Sequence, residues 1–176
     1  VSKIHNLPVL CTYEHQDIIS NDNLHYAGEL GLRPPEPIRK NALEADLVLV
    51  VGHRFNGVPN MAYKFPSSKQ TFIHVIPDPN TIGKIFRTDM GIVADSENFL
   101  DQLSKFSTNN TNCERDEWVK LCHYRYLNND STVTPRNAND GLDFAHFIDG
   151  LGKIAPENSI ITNDAGNFTS WMHHRF

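Results

Sequence analysis

The stretch that most limits what this chain can become is Leu47-Val48-Leu49-Val50-Val51, closed by Gly52. A continuous apolar run cannot alternate between a wet and a dry face, so it reads as a strand buried on both faces. Parallel sheets covered by helices produce such strands. The residues before it fit that picture. Pro34 to Ala45 (PPEPIRKNALEA) puts proline near a helix start, where its missing N–H costs little. Ile38, Ala42, Leu43 and Ala45 then follow at helical spacing, and Asp46 ends the helix.

The same alternation recurs along the chain. Leu7 to Thr12 is a short buried strand, and Val1 to Asn6 reads as the tail of an element already under way. Thr71 to Ile76 is a second apolar run, ending at Pro77-Asp78-Pro79, with a short helix expected over Thr81 to Phe86. Gly91 to Ala94 is a third strand. Ser96 is expected to cap an amphipathic helix carrying Phe99, Leu100 and Leu103 and ending near Phe106. Strands alternating with short helices imply βαβ units and an α/β fold with an open, doubly wound parallel sheet of Rossmann-like form.

Ser107 to Asn112 (STNNTN) is polar and predicts a linker. A helix follows over Glu114 to Asn128, with acidic residues in its first turn and an apolar stripe of Trp118, Leu121, Cys122 and Tyr126. Asn129 to Asn139 is a second polar connector, and Phe144 to Leu151 forms another amphipathic helix. The expected organisation is a central Rossmann-like domain over residues 1–106, a linker with one helix over 107–139, and the first elements of a second α/β domain over 140–176.

Composition excludes several functions. Hydrophobic residues make up 39% and charged residues 21%, as in ordinary globular proteins. A net charge of −5 with scattered Lys and Arg argues against a nucleic-acid surface. No apolar run approaches the roughly 20 residues that span a bilayer, and the N-terminal residues lack a signal-peptide pattern, so no membrane partner is expected and the location reads as cytoplasmic. Cys11, Cys113 and Cys122 show no CxxC spacing and read as free thiols. His173-His174 is a poor metal pair, because adjacent helical residues point about 100° apart. No nucleophile stands beside a base, so no catalytic residue and no metal ligand is assigned.

The last stretch, Ser159 to Phe176, carries the clearest chemistry. Ile160-Ile161-Thr162 reads as a strand, Asn163 to Asn167 as a tight turn, and Phe168 to Trp171 as a helix opening. Backbone N–H groups at such a turn favour an anion such as a diphosphate, and Gly166 would let backbone approach it closely. A plain capped helix, with Asp164 or Asn167 as the cap, satisfies the same residues.

The order of motifs resembles a known family. His25 to Leu32 (HYAGELGL), Glu44 to Phe55 (EADLVLVVGHRF), Phe72 to Lys84 (FIHVIPDPNTIGK) and Ile92 to Asp95 (IVAD) together resemble the central domain of thiamine-diphosphate-dependent enzymes of the acetolactate synthase type. Ile160 to Trp171 (IITNDAGNFTSW) resembles the opening of that family's diphosphate-binding domain. The resemblance implies a homo-oligomer, dimer or tetramer, that decarboxylates or joins α-keto acids with thiamine diphosphate and Mg²⁺, the cofactor acting as electron sink.

It also implies that Gly166, Asn167 and Phe168 line the diphosphate, with Asp164 a weaker candidate. Arg54 and Asp78 match positions that approach FAD in flavin-binding members. One departure leaves FAD open: the family's Met-His-Gly segment appears here as His25 to Gly31 (HYAGELG). The pyrimidine-binding domain with its activating glutamate, and the Gly-Asp-Gly and Asn ligands for Mg²⁺, have no counterpart in these residues. A fragment that does not turn over by itself is therefore expected. The alternatives are a doubly wound domain that binds a nucleotide or FAD alone, and a purely structural module.

Overall fold

The computed structural model describes residues 1–13, 15–106, 113–129, 141–164, 166 and 168–176. The chain divides into two compact units, Val1–Asn129 and Asp130–Phe176. The first unit runs α1 (Ser2–His5), β1 (Val9–Thr12), β2 (Tyr26–Leu30), α2 (Glu36–Leu43), β3 (Leu47–Val51), β4 (Thr71–Ile76), β5 (Met90–Val93), α3 (Ser96–Lys105) and α4 (Cys113–Leu127). Single 3-10 turns at Gln16–Ile18 and Pro79–Thr81 interrupt the connections.

Every strand pair is parallel, as the α/β reading requires. Among the described residues the strands form a two-stranded sheet, β1-β2, and a three-stranded sheet, β3-β4-β5. Leu30 of β2, Ile38 and Ala42 of α2, Val50 of β3 and Phe72 of β4 share one core. The strand expected to be most buried is not. Leu47 is 45% exposed, and within β3 Val50 alone is buried. β3 has a neighbour on one side, whereas β4 lies between two strands and buries Phe72, His74, Val75 and Ile76.

Helix α2 docks as its spacing predicts, burying Ile38 and Ala42 while Leu43 stays exposed. Its contact with β2 needs Gly28, whose φ is 107° and whose Cβ, if present, would lie 2.6 Å from Ile38 Cδ1. Buried Asn41 ties three elements together, its Nδ2 donating to the carbonyls of Ala27 and Cys122 at 3.0 Å each. Helix α4, expected in the linker, packs on β2 and α2. Its inward face holds Val119 and Cys122, with Tyr126 set edge-on to Tyr26 at 4.6 Å. Leu121, expected in that stripe, is exposed, because the i, i+3, i+7 set that reaches β2 begins at Val119.

Two helix starts also differ from expectation. Asp95, not Ser96, caps α3, its carboxylate accepting from the N–H groups of Glu97 and Asn98. The short helix expected over Thr81 to Phe86 is the single turn Pro79–Thr81, capped by Asp78.

The second unit holds α5 (Phe144–Ile154) and α6 (Thr169–Arg175), which pack on each other, and Ile148 and Met172 are buried in it. Asp143 caps α5 by accepting from Ala145 N at 2.9 Å. The strand expected at Ile160-Ile161-Thr162 is not formed, and Ile160 is 90% exposed. A β-branched run becomes a strand only with a ladder partner, and none pairs with it among the described residues. The polar linker at 107–112, nearly all of the second connector, and Asn167 lie outside the described residues.

Candidate functional site

The C-terminal ends of β3 and β4 form the most constrained corner of the first unit. Just past β3, Phe55 takes a left-handed φ of 53°. Its N–H donates to His53 Nδ1 at 2.8 Å, and its carbonyl accepts from Asn60 Nδ2 at 2.9 Å. Asn60 is completely buried, and its Oδ1 accepts from Tyr63 N at 2.8 Å. Met61, Ala62 and Tyr63 are left-handed in succession, with φ of 53°, 55° and 66°. Each such non-glycine residue costs on the order of 1–3 kcal/mol and persists only where its surroundings over-determine it. Here they do: the Phe55 ring sits 5.6, 6.0 and 6.2 Å from those of Phe65, Phe72 and Phe86.

His74, buried on β4, completes the corner by placing its Nε2 2.9 Å from the His53 carbonyl. Burial, then the nearby His15 and His74, holds the His53 imidazole below the usual histidine range. Arg54, between His53 and Phe55, stays exposed. Asp78, also exposed, accepts from Asn80 N at 3.0 Å and from Thr81 Oγ1 at 3.0 Å. Those bonds, with a smaller contribution from the Arg54 charge, keep its carboxyl below the ordinary range.

Arg54 and Asp78 are thus brought to one edge, where open α/β sheets bind ligands. The notch beside Arg54, walled by Phe55, His74, Thr81 and Phe86, has a volume of about 10 Å³. That admits about one water, so a flavin ring or an adenine does not fit it. A larger recess of about 410 Å³ lies beside the other end of β4, between Lys69, Thr71, Arg87 and Asp89, and none of the expected site residues lines it.

In the second unit, Gly166 has φ 152°, and no heavy atom lies within 4 Å of where its Cβ would stand. Its backbone is open to a close approach. Phe168 is the N-cap residue of α6 without a side-chain capping bond, and its ring meets Phe144 edge-on at 5.2 Å. The Asp164 carbonyl accepts from Thr169 Oγ1 at 2.5 Å. Thr169 N and Trp171 N already donate to the carbonyls of Gly166 and Phe168. Among the described residues no group of three or more His, Cys, Asp or Glu could hold a metal ion.

Burial pushes the thiols of Cys11 and Cys122 up to about 11 and about 12, so both are poor nucleophiles. The residues that sequence reasoning missed are His53 and Asn60. Their roles come from a folded turn, and Asn60 carries no periodic signal; the one available hint was an asparagine's aptitude for bonding nearby backbone.

Comparison with known proteins places this geometry. The family model described as the central domain of thiamine pyrophosphate enzymes matches residues 1–103. A probable acetolactate synthase large subunit from Methanocaldococcus jannaschii is 25% identical over 97% of this chain and 29% of its own length. A putative thiamine pyrophosphate-containing protein, YdaP, from Bacillus subtilis is 25% identical over 96% of this chain and 28% of its own. Pyruvate oxidase from Lactiplantibacillus plantarum is 26% identical over 57% of this chain and 16% of its own. The chain therefore spans less than a third of the length of these curated relatives.

Proposed function

Because this chain belongs to the thiamine pyrophosphate enzyme family through its central domain, we propose that it is part of a larger enzyme that decarboxylates or joins α-keto acids in the manner of acetolactate synthase. Residues 1–106 act as the central scaffold, 107–139 as the linker with its helix, and 140–176 as the opening of the diphosphate-binding domain. The observation that carries this is the collinear match to an acetolactate synthase large subunit over 97% of the chain, which runs well beyond residue 103.

Gly166, Asn167 and Phe168 would hold the diphosphate end of the cofactor, and Asp164 would shape the turn. The open backbone at Gly166 supports that assignment. When bound, the cofactor supplies an electron sink for the keto acid's carbonyl carbon; these residues orient it. Mg²⁺ would accompany the diphosphate in the complete enzyme. FAD is left unassigned; Arg54 and Asp78, at one sheet edge, are the residues that would approach it. The working protein is a homo-oligomer in the cytoplasm; no described helix is long and apolar enough to cross a membrane.

The test is CO₂ release from pyruvate by the whole protein that carries these residues, with and without thiamine diphosphate and Mg²⁺. Cofactor-dependent release is expected, and none from the 176-residue chain alone. A whole protein that binds the cofactor yet leaves pyruvate and other α-keto acids untouched would overturn the assignment.

A further inference from the structure

His53 sits where a proton would matter. Its Nδ1 lies 2.8 Å from the Phe55 N–H, so that nitrogen must present a lone pair, and the ring is the neutral form protonated on Nε2. Protonating Nδ1 would set one N–H donor against another. The residue thereby released is strained: Phe55 is left-handed at φ 53°, held by His53 Nδ1, by Asn60 Nδ2 and by aromatic packing. Arg54 is the single residue between the imidazole and that turn, so its position at the sheet edge follows the turn's conformation.

We infer that His53 is a positioning residue and a pH-sensitive latch: its neutral imidazole pins Phe55 in the left-handed turn and so sets Arg54 near Asp78, and its protonation releases the turn. The titratable groups that act on it are His15, from the segment after β1, and His74 on β4; Arg54, its neighbour in sequence, acts instead on Asp78. His74 is held in register by its own bond to the His53 carbonyl. The unfolded chain takes up this proton near the ordinary histidine value of about 6.5, and the folded chain takes it up only at lower pH. The contribution of this group to stability is therefore constant above that value and is lost as the pH falls below it. The latch is independent of any cofactor.

The experiment is a pH titration of the 176-residue chain by NMR from pH 7.5 to 5, reading the protection factor of the Phe55 amide and the His53 ring signals. Wild type should lose at least about tenfold protection at Phe55, with a midpoint below 6.5 that coincides with the His53 ring titration. In His53→Asn, the asparagine Oδ1 can accept from the N–H two residues on without titrating, so protection at Phe55 should persist and stay flat with pH. His15→Gln, at an exposed site, removes a facing imidazole and should move the wild-type midpoint upward even if the first variant fails to fold. A His53→Asn chain that keeps the wild-type transition, a wild type with no transition, or an unmoved midpoint in His15→Gln would each overturn the latch.

Discussion

Asn60 does more for the sheet edge than its neighbours in sequence suggest. Completely buried, it donates to the Phe55 carbonyl and accepts from the Tyr63 amide, closing a loop in which Phe55, Met61, Ala62 and Tyr63 are all left-handed. Asn60→Ala strands the buried Phe55 carbonyl, frees the half-buried Tyr63 amide and leaves a small void, so it should cost about 1–3 kcal/mol in urea unfolding. Asn60→Asp keeps the acceptor for Tyr63 and loses the donor to Phe55, and should still destabilise. A loss below about 0.5 kcal/mol for Asn60→Ala, the range of an ordinary surface change, would mean that the loop is held by its aromatic packing alone. At this scale the sequence was partly readable. Arg54 and Asp78 were picked out by the motifs around them, and the fold does bring them to one edge. His53 and Asn60 were not, because their partners are set by a turn whose shape no local pattern reveals.

Elements were easier to read than their surroundings. Apolar runs located β1, β3, β4 and β5 in outline but not β2 (Tyr26–Leu30), whose glycine and glutamate break the apolar run, and helical spacing located α2, α4 and α5. Edge or central position was not readable: among the described residues β3 has the more apolar sequence but one neighbour, while β4 takes the middle. Ile160-Ile161-Thr162 failed for a related reason, since a strand needs a ladder partner and none pairs with it among the described residues. Capping was missed by one residue at α3, where Asp95 accepts from two backbone N–H groups at 3.0 and 3.2 Å. Asp95→Ala should therefore lower stability by about 1 kcal/mol, and Ser96→Ala by much less. Thermal unfolding of the two variants decides between them, and a costlier Ser96 would return the cap to that side chain.

The molecule as a whole reads as two compact units. Val1–Asn129 has its own core of α2, β2, β3 and β4 side chains, and the family match covers residues 1–103 of it. Asp130–Phe176 contributes two packed helices and the Gly166 turn. Motif order could identify the family because several short words recur at consistent spacing, even where identity is only 25%. Substrate choice was not readable, since no described pocket is formed around a candidate reacting centre.

Calorimetric titration of thiamine diphosphate with Mg²⁺ into the whole protein tests the Gly166 assignment most directly, using Gly166→Val as the comparison. At φ 152° a β-branched side chain is strained and would occupy the open space beside the backbone. Saturable binding by the wild-type protein, weakened at least about tenfold by the substitution (about 1.4 kcal/mol), is the expected result. Binding that Gly166→Val leaves unchanged, or no binding by the wild type, would contradict it.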